Sequence, residues 1–139
     1  MTKKNQSFWL MVLAGFVVLV AGDILIHRIW LGEIYKQYAG FWRSAEEMKA
    51  NAWIPFLAEL CLAYLLAVVY PKGLEGKSTA GEGLRFGILM GLLLYLPSIL
   101  MKRYLYPYPT YLLGVWFLGG VLEITLAGVA IALTYQRTK

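Results

Sequence analysis

The chain has 139 residues, of which 60% are hydrophobic and 15% charged, with a formal net charge of +5. A soluble domain is nearer about 45–50% apolar, so composition excludes an ordinary globular protein and places the chain in a membrane. Its positive balance does not mark a nucleic-acid binder, because Lys and Arg sit in short loops and tails where they set orientation and meet anionic lipid, and no basic stripe or stacking platform stands apart from the apolar runs.

The first apolar run predicts a membrane span over residues 8–26. It follows Lys3 and Lys4 as a signal peptide would, yet it is too long for a typical apolar core and lacks a small-x-small cleavage site before Asp23, so it is read as a retained span. In the connection that follows, residues 27–51, Trp30, Ile34, Tyr38, Phe41, Ala45 and Met48 recur at steps of three or four, opposite Glu33, Lys36, Arg43 and Glu47. That is an amphipathic stripe. Gly40 divides it, and Ser44 with Glu47 three residues on has the form of a capping box. An interfacial helical segment lying on the membrane surface is the favoured reading; its rival is a stripe packed over the mouth of the helix bundle.

Residues 52–70, 83–100 and 112–135 complete the set, each close to the roughly 20 residues needed to cross about 30 Å of hydrocarbon. Helices are expected rather than strands, because the runs are continuous, without alternation, and an open sheet edge would go unsatisfied in lipid. The fold class is therefore all-α: a four-transmembrane-helix bundle forming one integral membrane domain over residues 1–139, with the amphipathic interfacial segment between spans one and two. Residues 71–82 read as a polar, glycine-rich turn with no structure of its own and no phosphate-loop pattern. Residues 101–111 contain Tyr106-Pro107-Tyr108-Pro109, a stiff, extended hairpin whose tyrosines form an aromatic belt. Lys3, Lys4, Lys72, Lys77, Arg85, Arg137 and Lys139 on one side outnumber Arg28, Lys36, Arg43, Lys49, Lys102 and Arg103 on the other by seven to six, which weighs for both termini in the cytoplasm.

The spans hold three acids, Asp23, Glu59 and Glu123, and a charge at the centre of a spanning helix costs roughly 2.5–3.5 kcal/mol on insertion scales. Topology gathers them toward one face. Asp23 lies near the far end of span one, while Glu59 and Glu123 lie about 10 Å and about 17 Å below the starts of spans two and four. His27 sits one turn beyond Asp23, and Arg28, Lys102 and Arg103 share that mouth. Gly119, Gly120 and Ala127 narrow span four around Glu123, which places its carboxylate in the bundle rather than in lipid. Gly83, Gly87 and Gly91 give span three a doubled small-xxx-small face that continues toward Ser98 and serves helix packing within the monomer, with a homodimer seam as the second reading. Pro97 leaves the Leu93 carbonyl without its helical donor, which helps to build a polar cavity.

Two readings of these groups compete. In one, the acids are structural and hydrogen-bonded across helices. In the other, Asp23, His27, Glu59, Glu123 and Ser98 form a ligand-binding pocket, open to one face, that binds or passes a small solute, a proton or a lipid-like ligand. A metal site has suitable ligand types without diagnostic spacing, so neither metal nor cofactor is expected. The single His, the absence of His-Glu-x-x-His and Gly-x-Ser-x-Gly, and the lack of a base beside Ser98 leave no catalytic residue to assign. A lipid-modifying acid–base pair of Glu59 and Glu123 is the minor alternative. Cys61, the only cysteine, excludes an intrachain disulfide and reads as a small packing residue.

The order Gly83-Leu-Arg-Phe-Gly87, Pro97, Pro107, Pro109, Trp116 and the glycines of span four, with Arg43 and Met48 in the aromatic connection after span one, resembles a family of small uncharacterised four-helix bacterial membrane proteins grouped as a domain of unknown function. That resemblance implies residence in a bacterial inner membrane and no particular activity. A looser similarity of layout, with Asp23 and Glu59 in early spans, links the chain to sterol-isomerase and sigma-receptor-like four-helix proteins and carries no function with it. The expected partners are membrane lipid, a small-molecule ligand and a second copy of the chain, and not nucleic acid. The other side of the choice is a structural or accessory subunit docking through the glycine face of span three.

Overall fold

Apolar runs with few charges become helices because a helix satisfies its backbone within one segment, and the computed structural model, which describes residues 3–76 and 78–135, shows six α-helices. They are α1 (Lys3–Asp23), α2 (Gly32–Gln37), α3 (Ala45–Ala50), α4 (Trp53–Val69), α5 (Thr79–Leu105) and α6 (Thr110–Thr134). The long helices give four stretches apolar and long enough to cross a membrane. The protein is thus a small all-α membrane protein with short helical segments between spans one and two. Lys77, Arg137 and Lys139, counted above for orientation, lie outside the described residues.

The boundaries differ from expectation in instructive ways. Span one does not stop at residue 26: it continues from Asp23 through a π-helical stretch, Ile24–Trp30, which puts His27 inside the helix rather than in a connection. The spans around α5 are also longer than hydropathy suggests. This helix starts at Thr79, four residues before the apolar run, with Ser78 accepting a hydrogen bond from the Gly81 N–H, and it runs unbroken through Pro97 to Leu105. The turn before it is partly ordered, by a 3-10 segment at Tyr70–Gly73 and by Gly76, whose φ of +82° a side chain would resist. The capping box at Ser44 and Glu47 forms as the sequence indicates, with the Glu47 N–H donating to Ser44 Oγ and the Ser44 N–H to Glu47 Oε2.

Helix α6 is the centre of the assembly. It packs on α5 and on α1, and α1 in turn carries α4, so α4 and α5 flank the group without a packed seam of their own. The glycine face of α5 is taken up inside the chain: a Cβ at Gly83 would stand 2.7 Å from the Val129 Cα, one at Gly87 2.4 Å from the Thr125 Cα, and one at Gly91 3.0 Å from the Val121 Cα. Gly128 of α6 answers from the other side, 2.9 Å from the Gly87 Cα by the same measure. Two backbones approach closely there, which suits packing in lipid, where there is no hydrophobic drive between helices. An association between copies would have to use another surface.

The two ends of the assembly are unlike. At the end holding the first turns of α1 and the last of α6, Tyr70, Phe86, Ile131 and Ala132 fill the core, and Ser7 Oγ donates to the Thr134 carbonyl. At the opposite end the helices splay. Residues 53–58 of α4 are exposed on every side, and α5 beyond Gly91 has no buried residue. The mouth of the splayed end is covered by aromatic rings: Tyr35 and Trp42 pack against Tyr108 and Trp116, with Leu31, Leu112 and Val115 beneath. The first half of the amphipathic connection therefore lies over the bundle mouth, as the rival reading has it. It does so mainly through Leu31, Tyr35 and Trp42, joined by Ile34 of the stripe, while the stripe's Trp30, Phe41 and Met48 stay exposed.

Candidate functional site

The splayed end brings the three intramembrane acids together. Glu123 on α6 is buried, only 6% exposed, and its Oε1 has no hydrogen-bond partner among the described residues. Its carboxyl lies against the backbone of α1: a Cβ at Gly22 would be 2.7 Å from Glu123 Cγ. Glu59 on α4 is half-buried, and its Oε2 is likewise buried and unpartnered. Asp23 and Glu59 are near enough for their charges to act on Glu123, and Asp23 acts on Glu59 in the same way. Helix packing holds these carboxyl groups together, since among the described residues no Lys or Arg joins them in an ion pair and only His27 lies within reach of Asp23.

Two cavities meet here. One, of about 290 Å³, is lined by His27, Tyr95, Lys102, Trp116 and Glu123. The other, of about 380 Å³, is lined by Asp23, His27, Arg28, Tyr35 and Glu59, with Met48 at its rim. His27 borders both. Its position follows from the π-helical stretch, a local widening of the helix that recurs at functional sites.

The hydrogen bonds at the mouth favour one tautomer of His27. Trp116 Nε1–H, which can only donate, gives its proton to Tyr35 Oη at 2.7 Å. Tyr35 Oη also lies 2.5 Å from His27 Nδ1. Assigning the Tyr35 proton to Nδ1 gives the His27 tautomer with hydrogen on Nε2, the nitrogen 3.8 Å from Asp23 Oδ1. Burial pushes the Tyr35 phenol up to about 12, a rise that the Trp116 bond opposes and the Asp23 charge supports, so the hydroxyl keeps its proton across the ordinary pH range. Trp42 Nε1 donates to the Tyr35 carbonyl at 3.2 Å and ties the same residue from its backbone side.

The remaining residues singled out from the sequence fall as follows. Ser98 does not meet the carboxylates; it accepts a hydrogen bond from Lys102 Nζ at 3.0 Å and so positions that ammonium, which also stands 5.6 Å from the centre of the Trp116 ring. Gly119 makes room for Ile26 of span one and Gly120 for the Tyr95 ring, so both shape the walls around Glu123. Among the described residues no group of three or more His, Cys, Asp and Glu side chains is arranged to hold a metal ion. Cys61 is exposed on α4, in a groove it shares with Trp9 and Tyr64.

Sequence reasoning placed Lys102 at this mouth but missed Tyr35, Tyr95, Trp116 and Gly22 as parts of the site. Tyr35 and Trp116 lie 81 positions apart and meet only through the fold. Lys102 also stands one helical turn from Ser98 on the same face.

No protein-family model matches the chain, and no curated protein or solved structure matches it either. What stands of the family resemblance is the four-span layout of a small polytopic membrane protein.

Proposed function

We propose that this protein is a small inner-membrane protein of bacterial type, its termini in the cytoplasm, whose splayed end is a binding site for a small polar ligand. The observation that carries the reading is Glu123: a buried carboxylate with an unpartnered oxygen facing a cavity, 94% removed from solvent, where leaving an acceptor unmade is costly. The Asp23 backbone N–H is a donor to this carboxyl, and Oε1 is left without one. His27, with Nε2–H as donor, stands between this cavity and the one holding Asp23 and Glu59, and Tyr35 and Trp116 keep it in that form.

Binding is favoured over passage across the membrane because the other end is filled by Tyr70, Phe86 and Ile131. The aromatic cover and the charged groups beneath it together make an amphipathic mouth of the kind that selects by polarity. Lipid modification by Glu59 and Glu123 finds less support, since Glu59 lines only the cavity on the far side of His27.

Access gives the test. With Cys61 replaced by Ser, Ile26→Cys places a thiol in the wall beside Glu123. A membrane-impermeant maleimide added to sealed, oriented vesicles labels it from one side only, the side opposite the termini. Labelling from neither side, with a thiol at Lys72→Cys as positive control, would remove the open cleft and the binding role with it.

A further inference from the structure

The smaller cavity holds charges of both signs that do not meet. Lys102 of α5 and Glu123 of α6 line the same 290 Å³ chamber, yet they form no ion pair with each other, and Lys102 has no carboxylate within ion-pair distance among the described residues. Each is held in its own place. Lys102 Nζ is fixed by Ser98 Oγ and by the Trp116 ring face, nearer the mouth; Glu123 lies deeper, against the α1 backbone at Gly22. Helix geometry sets that order, because Lys102 is three residues from the mouth end of α5 while Glu123 is about 20 Å along α6 from the same end.

We propose that this chamber takes a small zwitterion, its ammonium directed inward to Glu123 and its anionic group at Lys102. The inference rests on the binding reading above and names the ligand class for it. A ligand with positive charge alone would bring its charge beside Lys102 uncompensated. One with negative charge alone would face Glu123, with Asp23 and Glu59 close behind. A molecule carrying both, separated by a few bonds, supplies the donor that Glu123 Oε1 lacks and a second acceptor for the Lys102 ammonium, each as a charge-assisted hydrogen bond. The volume corresponds to roughly ten water molecules, enough for an amino acid or for an aminoalkyl phosphate headgroup. Tyr95 and Trp116 provide aromatic walls for the methylenes between the two charges. The shared chemistry is a primary ammonium and an oxyanion on one short chain, whether the molecule arrives free from water or as the headgroup of a lipid.

The test uses the full chain in nanodiscs of phosphatidylglycerol, titrated calorimetrically with γ-aminobutyrate, butylamine and butyrate, and repeated in discs containing phosphatidylethanolamine. The expected result is binding of γ-aminobutyrate at least about tenfold tighter than of either single-charge analogue, with Glu123→Gln and Lys102→Gln each removing about tenfold, the loss of one charge-assisted contact. If the lipid headgroup is the occupant, phosphatidylethanolamine raises the melting temperature of the wild type and of neither variant, and it excludes γ-aminobutyrate; that outcome supports the zwitterion equally. Butylamine binding as tightly as γ-aminobutyrate, lost in Glu123→Gln and kept in Lys102→Gln, would overturn the zwitterion and leave the acidic site standing. No difference between wild type and either variant with any of these probes, in discs where both variants melt within a few degrees of wild type, would overturn both.

Discussion

Two glutamates are almost withdrawn from solvent, Glu82 at 1% exposure near the closed end and Glu123 at 6% near the splayed one, and they are treated in opposite ways. Glu82 lies 3.1 Å from Arg85 Nη2 one turn along its own helix and accepts from the Glu75 N–H at 2.7 Å, while Arg85 reaches on to Glu75 at 2.9 Å and to the Gly73 carbonyl. This is a closed knot that ties the α4–α5 connection to the start of α5. Among the described residues Glu123 has no cation, and it keeps an unpartnered oxygen over a cavity. Burial alone does not separate a structural acid from a functional one; the difference is whether the fold supplies the partner.

The largest expected effect is at the closed end. Gly87→Leu forces a side chain to where the Thr125 backbone already stands, with no flexible neighbour to give way. It should cost about 3 kcal/mol or more, seen as loss of a monodisperse species on gel filtration or a melting temperature lowered by many degrees. Gly114→Ala, whose added Cβ meets nothing within 4 Å, should cost nothing and is the control. Equal tolerance of the two would mean that the α5–α6 seam is not the clamp of the closed end. Next in size is Glu82→Gln, which keeps an acceptor for the Glu75 N–H and removes the charge that Arg85 faces. A charge-assisted contact of this kind is worth about 1.5–3 kcal/mol, and its loss should show in the same melt. An unchanged midpoint would break the contrast between the two glutamates from this side.

The closed end was the more legible of the two. The glycine spacing of span three identifies its close-packing face, and the length of the apolar runs identifies four helices, because both depend on local periodicity that lipid enforces. Glu82 escaped notice because it sits in a stretch whose composition reads as turn, although Ser78 had the right type and place for a helix cap. At the splayed end, the acids and His27 could be brought to one face by counting residues. The π-helical stretch could not, since nothing in residues 24–30 breaks α periodicity, and the Tyr35–Trp116 contact joins positions that only tertiary packing relates. The amphipathic stripe was real in period and partly off in phase: Ile34 packs at the mouth as a stripe residue should, but Tyr35 and Trp42, next to stripe positions, turn inward with it.

The mouth offers a smaller effect that sharpens the picture of the splayed end. Tyr35→Phe removes the acceptor of the Trp116 indole and the donor to His27 in one step and should lower stability by about 1 kcal/mol, the scale of a net hydrogen bond. It should also shift the His27 nitrogen resonances, because Nδ1 loses its donor and the preference for Nε2–H goes with it. Unshifted resonances would mean that Tyr35 does not set the tautomer. The pH dependence has a definite sign. The phenol is neutral when protonated, and its folded value of about 12 lies above the unfolded value near 10, so the folded state holds a proton that unfolding releases between those limits. The contribution of Tyr35 is complete below about pH 10 and falls away as pH rises toward 12. In wild type the melting temperature should decline more steeply over that window than in Tyr35→Phe; parallel slopes would contradict the burial of this hydroxyl.

The smallest effect on stability belongs to Glu123→Gln, and it decides what the comparison of the two ends means. The amide has the shape of the carboxyl and removes a buried acid that no Lys or Arg among the described residues pairs with, so the midpoint should stay within about 1 kcal/mol of wild type or rise. A gain on removing a buried acid is the mark of a group kept at a cost in stability, as expected where a site is built to receive something from outside the fold. If Glu123→Gln instead lowers stability as much as Glu82→Gln does, Glu123 is holding helices together through its contacts at Gly22. The two ends would then differ in packing density and not in purpose.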